Sequence, residues 1–218
     1  MLFTFPSTLT LLFLAPLVQA GIQQKDFTGI GKIYVLQSED WRTATPESKI
    51  GCLNDHGKII SVNSTSACGV FSRLDDYPYT LSSKYGNCTF EDDTQERNTD
   101  SHYGGNDFAW NCGTRHTPDI YDELYTIDGF PYVFLCFGDI ACYYDAKRVP
   151  ESNEVLSLWQ YRWGSQQMGI TPGHIQLLLL WERLVDLPKR EGAAVIPSPR
   201  MEIQEGMQVP LQGAKAKI

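Results

Sequence analysis

The chain has 218 residues, with 26 Asp or Glu against 18 Lys or Arg and a formal net charge of −8. This acidic balance disfavours a nucleic-acid partner, because phosphate binding depends on clustered basic side chains and the longest basic cluster here is Lys189-Arg190. The length is sufficient to bury about 70% of the unfolded surface in one core, so we expect a single domain.

The first twenty residues predict a secretory signal peptide. They carry an apolar stretch from Leu9 to Val18, no charged side chain, and the small residue Ala20 at the end of a Val-Gln-Ala site. A membrane anchor is the alternative, but the stretch is shorter than the ~20 residues that span a bilayer and is interrupted by Pro16. We therefore expect cleavage after Ala20, release outside the cell and no membrane partner.

Short segments rich in β-forming residues, separated by turn residues, follow between Lys32 and Leu184. They include KIYVLQ, KIGCL, KIISV, CGVFSRL, FPYVFLCF and ACYYDA. The pattern predicts a mainly β fold, a single β-sandwich or barrel-like domain over residues 21–187 with at most one or two short helices. A helix is an alternative at PDIYDELYTI and at GHIQLLLLWERLV, since a short apolar run fits either a central strand or a buried helix.

Six cysteines lie in the part that follows the predicted signal peptide, and an even number in an exported chain predicts three disulfides. Sequence leaves several connectivities open, but local pairing closes three short loops: Cys52 with Cys68, Cys88 with Cys112, and Cys136 with Cys142. A zinc site is the alternative, yet no Cys-x-x-Cys pair is present. Each crosslink would contribute about 3 kcal/mol in the chain-entropy model.

Two N-glycosylation sequons are present, NST at Asn63 and NCT at Asn87. A disulfide at Cys88 would hinder access to Asn87, so Asn63 is the expected glycosylated residue. Beyond residue 187 the composition changes to a Pro- and Gly-containing segment without aromatic residues, which predicts a flexible tail over 188–218. A processing protease would cut this tail at Lys189-Arg190; an ordinary solvated charge pair is the alternative.

The stretch SLWQYRWGSQQMGITPGH, residues 157–174, is the candidate binding site. In a strand, alternate residues share a face, so Trp159, Tyr161 and Trp163 would point the same way. Exposed, this row would stack on sugar rings, with Gln166 and Gln167 supplying hydrogen bonds; buried, it would belong to the core, where large aromatic residues are usually found.

The segment from Glu91 to Asp107 is rich in acidic residues and predicts one long surface loop between strands, called here the acidic loop. Its side-chain oxygens suit calcium chemistry, but the loop lacks the alternating pattern of an EF-hand. A solvated acidic loop without a bound ion is the alternative, and the sequence predicts no cofactor or metal.

A small secreted hydrolase, ribonuclease- or glycosidase-like, is the alternative function. It would use a His general base oriented by a carboxylate, or two carboxylates across a glycosidic bond. The candidate catalytic set is His102, Asp107 and His174, with Arg115 binding an anionic transition state. Other candidate groups are His56, His116, Asp119, Asp122, Glu123 and Asp139. There is no Gly-x-Ser-x-Gly elbow and no His-Glu-x-x-His helix, and nothing in the spacing brings the set together.

Taken with the even cysteine number, the segments KIGCLNDHGKI, ACGVF, LSSKYGNCTF and WGSQQMGITPGH resemble the secreted cysteine-containing proteins of filamentous fungi that have no assigned activity. The resemblance covers about Lys32 to Leu184. It implies a fungal extracellular protein of the kind grouped with effector candidates, and it transfers no catalytic residue. We therefore expect a monomeric extracellular protein that binds cell-wall glycan or a host or competitor protein.

Overall fold

The computed structural model describes residues 22–23, 27–73, 80–117, 119–138 and 142–186. The predicted signal peptide, the predicted tail and Asp139 lie outside the described residues. Within them the fold is mainly β and antiparallel, with two 3-10 turns, Pro46–Ser48 and Ile120–Asp122. The described residues form no helix long and apolar enough to span a membrane.

The described residues include fourteen strands. In chain order they are β1 Ile22–Gln23, β2 Ile30–Gln37, β3 Lys49–Leu53, β4 Ile59–Ser61, β5 Phe71–Arg73, β6 Leu81–Ser83, β7 Gly86–Thr89, β8 Asn111–Gly113, β9 Thr126–Ile127, β10 Phe134–Leu135, β11 Tyr143–Ala146, β12 Val155–Leu156, β13 Trp159–Gln160 and β14 Ile175–Val185. All except β1 and β9, which pair with each other, belong to one curled sheet of twelve strands.

The long strands β2 and β14 form the centre of this sheet, paired from Gln37 opposite Leu177 to Ile30 opposite Val185. The other edge of β14 pairs with β10 and β11, and β11 in turn pairs with β13. The other edge of β2 pairs with β3 near Tyr34 and with β5 near Ile30. Two wings therefore leave β2, one through β3, β4 and β12 and the other through β5, β6, β7 and β8.

The apolar run in GHIQLLLLWERLV is a strand because both faces of β14 are covered. Leu177, Leu179 and Trp181 belong to the larger core, which also holds Phe71, Phe90 and Trp110. The alternate residues Leu178 and Leu180 belong to a second core with Leu36, Phe134 and the Cys136–Cys142 pair. A strand buried on both faces has a continuous apolar sequence, which explains why periodicity alone did not separate strand from helix.

The three disulfides join Cys52 to Cys68, Cys88 to Cys112 and Cys136 to Cys142, the pairing that local loop closure predicts. Cys88 and Cys112 are directly opposite each other in β7 and β8. The end of this wing curls back, since the Cys112 backbone N–H donates to His56 O at 3.1 Å and the Trp110 N–H donates to Leu158 O at 2.8 Å. The acidic loop connects β7 to β8 and is thereby held near β13.

Candidate functional site

The aromatic row predicted at residues 159–163 does not share one face. Strand β13 ends at Gln160, so the alternation that would align the three rings stops after one residue. Trp159 is 1% exposed, and its Nε1–H donates to Glu96 O at 3.0 Å. Tyr161 is half-buried and packs edge-on against Tyr143, whereas Trp163 is 66% exposed. The expectation that Trp159 contacts a ligand is corrected, because its ring is part of the packed interior.

Trp163 lies in a tight turn, residues 162–168, that the protein holds by several hydrogen bonds. Gly164 and Gln167 exchange backbone hydrogen bonds at 2.8 and 3.1 Å. The Gln167 side chain is buried; its Nε2 donates to Arg162 O at 2.8 Å, and its Oε1 accepts the His102 backbone N–H at 2.7 Å. Gln167 is thus corrected from a ligand-binding residue to one that ties this turn to the acidic loop. Gln166 remains exposed.

Tyr103 of the acidic loop packs against this turn. Its hydroxyl hydrogen-bonds Ser165 Oγ at 3.2 Å and accepts the Gln166 backbone N–H at 3.0 Å, and these two bonds lower the pKa of Tyr103. A Cβ atom at Gly164 would lie 2.5 Å from Cζ of the Tyr103 ring, so only glycine permits this close approach. Trp163 therefore projects from a turn whose conformation is fixed on both sides.

A charge pair flanks the same turn. Arg162 Nε donates to Asp107 Oδ2 at 2.6 Å, and Arg162 Nη2 donates to Asp107 Oδ1 at 3.3 Å. This is the bidentate geometry that guanidinium and carboxylate groups favour. The Arg162 side chain is 44% exposed. The pair orders the loop and leaves part of a cationic side chain at the surface next to Trp163.

Asp145 connects the acidic loop to the sheet through buried side-chain hydrogen bonds. It lies in β11 and is 1% exposed. Its Oδ2 accepts hydrogen bonds from Thr171 Oγ1 and, at 3.2 Å, from Asn98 Nδ2, and its Oδ1 lies 2.5 Å from His174 Nδ1. We call Asp145 with Asn98, Thr171 and His174 the buried clamp. A buried carboxylate with three side-chain partners is satisfied and fixes the elements that supply them.

No described hydrogen bond or ion pair joins the members of the candidate catalytic set to one another. His174 is 5% exposed, with Nδ1 bound to Asp145 and Nε2 3.4 Å from Asp100 Oδ2, so both ring nitrogens are occupied. Asp107 is paired with Arg162, and His102 is exposed with its ring edge-on to Tyr103. Arg115 follows β8, and no described contact joins it to the other three. The sequence analysis did not identify three residues of the clamp, Asp145, Asn98 and Thr171. The only signal for them was an acidic residue inside an apolar strand, Asp145 in the segment YYDA.

The carboxylates of the acidic loop do not converge on one point. Asp107 binds Arg162, Asp100 lies beside His174, and Asp92 accepts hydrogen bonds from Thr94. In the parts of the chain that the structure describes, no three His, Cys, Asp or Glu side chains are grouped to hold a metal ion. The oxygens considered for calcium are used instead to anchor the loop.

Comparison with known proteins adds no family to these observations. No protein-family model, no curated protein and no solved structure matches this chain.

Proposed function

We propose that this protein is exported and binds cell-wall glycan outside the cell through Trp163. The observation that supports the proposal is the 66% exposure of the Trp163 side chain on a turn that Gln167, Tyr103 and Gly164 hold in place. An exposed indole on a fixed backbone loses little conformational entropy on binding, which favours recognition by a flat apolar face.

The groups around Trp163 suit a polyol ligand. A sugar ring has an apolar face that stacks on an aromatic ring and hydroxyl groups that need polar partners. Arg162 and Gln166 are exposed on the same turn and supply donors. The surface therefore combines one stacking residue with a polar rim.

Replacement of Trp163 tests this function. The parent protein should be retained on insoluble chitin or glucan, and Trp163→Ala should lose retention while its stability changes by less than about 0.5 kcal/mol, as for a surface residue. Tyr85→Ala is the matched control, since Tyr85 is 41% exposed and lies on the β6–β7 turn. Absence of retention in the parent, or full retention of Trp163→Ala, would refute the glycan assignment. Capture of a protein by the Trp163 surface without glycan retention would point instead to a protein target.

Export is part of the same proposal. It is supported by the predicted signal peptide and by the three disulfides, which persist in oxidising compartments. Asn63 is exposed in the turn after β4, whereas the Asn87 side-chain amide lies in β7 and donates to His116 O at 2.8 Å. A mass spectrum of the non-reduced secreted protein should show Gly21 as the first residue, a glycan on Asn63 and none on Asn87. A chain that retains Met1 and free thiols would contradict export.

A further inference from the structure

A surface groove of about 570 Å³ lies between the end of β4 and the segment that precedes β12. One wall is formed by β4 and the turn that follows it, and the other by residues 149–152. The lining includes Val62, Asn63, Val149, Pro150, Glu151 and Ser152. None of these residues belongs to the turn that carries Trp163, so the groove is a separate surface.

The two walls of this groove carry apolar side chains that remain in contact with water. Val62 is 56% exposed on one wall, and Val149 is 40% exposed on the other, next to the buried Pro150. Single exposed apolar residues are ordinary on a protein surface. Two that line the same groove from opposite walls form an apolar surface whose burial is favourable.

Hydrogen bonds hold both walls in place. In the turn after β4, the Asn63 backbone N–H donates to Ser61 Oγ at 3.3 Å. In the opposite wall, the Glu151 backbone N–H donates to Glu154 Oε2 at 3.0 Å, and Arg148 pairs with the other oxygen of the same carboxylate. A groove whose walls are already ordered loses little conformational freedom when it is filled.

The NST sequon places a modification site at this groove. Asn63, its first residue, is exposed and belongs to the groove lining. Thr65, its third residue, donates from Oγ1 to Asn153 Oδ1 at 3.1 Å, which ties the sequon to the opposite wall. A glycan on Asn63 therefore begins beside Val62 and Val149, and its covalent attachment gives the first sugar a high effective concentration at the groove.

We propose that the first N-acetylglucosamine of a glycan on Asn63 folds back into this groove. Its acetamido methyl group and the apolar face of its ring cover Val62 and Val149, and its hydroxyl groups meet the exposed Glu151 and Ser152. This inference rests on the export proposed above, because a chain acquires N-linked glycans in the secretory route. It does not depend on glycan binding by the Trp163 surface.

NMR of the full-length chain secreted from a eukaryotic host, with isotope-labelled sugar and valine, tests the proposal. Nuclear Overhauser effects should connect the acetamido methyl group of the first sugar to the Val149 methyl groups. They should persist after an endoglycosidase trims the glycan to this one sugar, because only the first sugar occupies the groove. A first sugar on Asn63 without any contact to Val149 would overturn the proposal.

A double-mutant cycle provides a second readout. Asn63→Gln removes the glycan, and Val149→Thr replaces one methyl group by a hydroxyl. In the glycosylated protein Val149→Thr should lower the melting temperature by about 2 °C, because the sugar loses an apolar contact, and in Asn63→Gln it should have no such effect. Val70→Thr is the matched control, since Val70 is 43% exposed and lies outside the groove. Its effect should be the same with and without the glycan.

The outcomes separate this inference from export. Equal effects of Val149→Thr with and without the glycan would overturn the seating of the sugar. A secreted, disulfide-bonded chain with unmodified Asn63 would also overturn it but would leave export intact, whereas a chain that is not secreted would contradict export itself. A mobile sugar together with self-association that Val149→Thr abolishes would assign the groove to a second copy of the chain. If Asn63→Gln fails to fold, enzymatic removal of the glycan from the folded parent completes the cycle.

Discussion

Asp145 and Asp122 are both buried aspartates, but their surroundings differ in the number of donors. Asp145 has three side-chain partners, Asn98, Thr171 and His174, from three separate parts of the chain. Asp122 has fewer donors: the Asp119 backbone N–H, which its Oδ2 accepts at 3.2 Å, and the Thr89 side chain. The first arrangement connects elements of the fold, and the second leaves the buried charge of Asp122 less well compensated.

The difference shows that a buried acid can stabilise a fold or cost it free energy. Hydrogen bonds to a charged group stabilise a fold, whereas a buried charge with few donors is unfavourable. The clamp accordingly explains why the acidic loop has a fixed position against β13 and β14.

Replacement of Asp145 is expected to have the largest effect on the free energy of unfolding, and it tests the comparison with Asp122 most directly. Asp145→Ala removes the shared acceptor of Asn98, Thr171 and His174 and leaves their donors buried, so the free energy of unfolding should fall by about 3–5 kcal/mol. Urea denaturation measures the change. Asp100→Ala is the matched control, because Asp100 also contacts His174 but its side chain is 57% exposed, and its cost should stay below about 1 kcal/mol. Similar losses in the two variants would show that the clamp is not a structural unit.

A single donor of the clamp should carry part of that effect. Thr171 is 0% exposed and donates to Asp145, so Thr171→Val removes one hydrogen bond to a charged group while keeping the side-chain shape. The expected loss of unfolding free energy is about 2 kcal/mol, measured in the same denaturation series. Thr43→Val provides the control, since the exposed Thr43 hydroxyl bonds only the nearby Asp40 carbonyl oxygen in the described contacts. A neutral Thr171→Val would mean that the hydroxyl contributes nothing to the clamp.

Asp92 sharpens the comparison, because its pKa shifts in the opposite direction to that of Asp122. Burial opposes ionisation of Asp92, but the hydrogen bonds from Thr94 and the nearby His116 outweigh it and lower the pKa, whereas burial raises the pKa of Asp122. A carboxyl whose pKa is lower in the folded than in the unfolded state stabilises the fold above the unfolded value, and this contribution is lost as pH falls. The parent should therefore lose melting temperature on acidification below about pH 4, the usual Asp range, more steeply than Asp92→Asn. Melting curves between neutral and acid pH test this. Parallel curves for the two proteins would contradict it.

Asp122→Asn should have the smallest effect on stability. A carboxyl whose pKa is raised in the folded state contributes stability below its unfolded pKa, and this contribution is lost as pH rises through the folded value. At neutral pH the buried charge of Asp122 is unfavourable, so Asp122→Asn should raise the free energy of unfolding by up to about 1 kcal/mol. The gain should shrink when the melts are repeated near pH 4. A loss of stability at neutral pH would show that the charge of Asp122 supports the fold.

The sequence predicts the β-rich class from short segments and turn residues, and the local disulfide pairing from loop lengths. It does not predict which of three neighbouring aromatic residues reaches solvent, because that depends on the end of β13 at Gln160 and on the packing of Trp159 beneath Glu96. It also does not predict the clamp, since Asn98, Asp145 and Thr171 are far apart along the chain. Asp122 was among the candidate acids, but the burial that raises its pKa is a property of the packed structure alone.

The amino-acid sequence determined the mainly β fold and the local loops that disulfides can close, since these depend on residues close together in the chain. The tertiary structure alone decided that β14 is buried on both faces, that the His174 side chain is enclosed rather than accessible, and that Asp122 is buried. The physical reason is that burial and hydrogen-bond satisfaction depend on contacts between distant segments, which exist only after the sheet has curled.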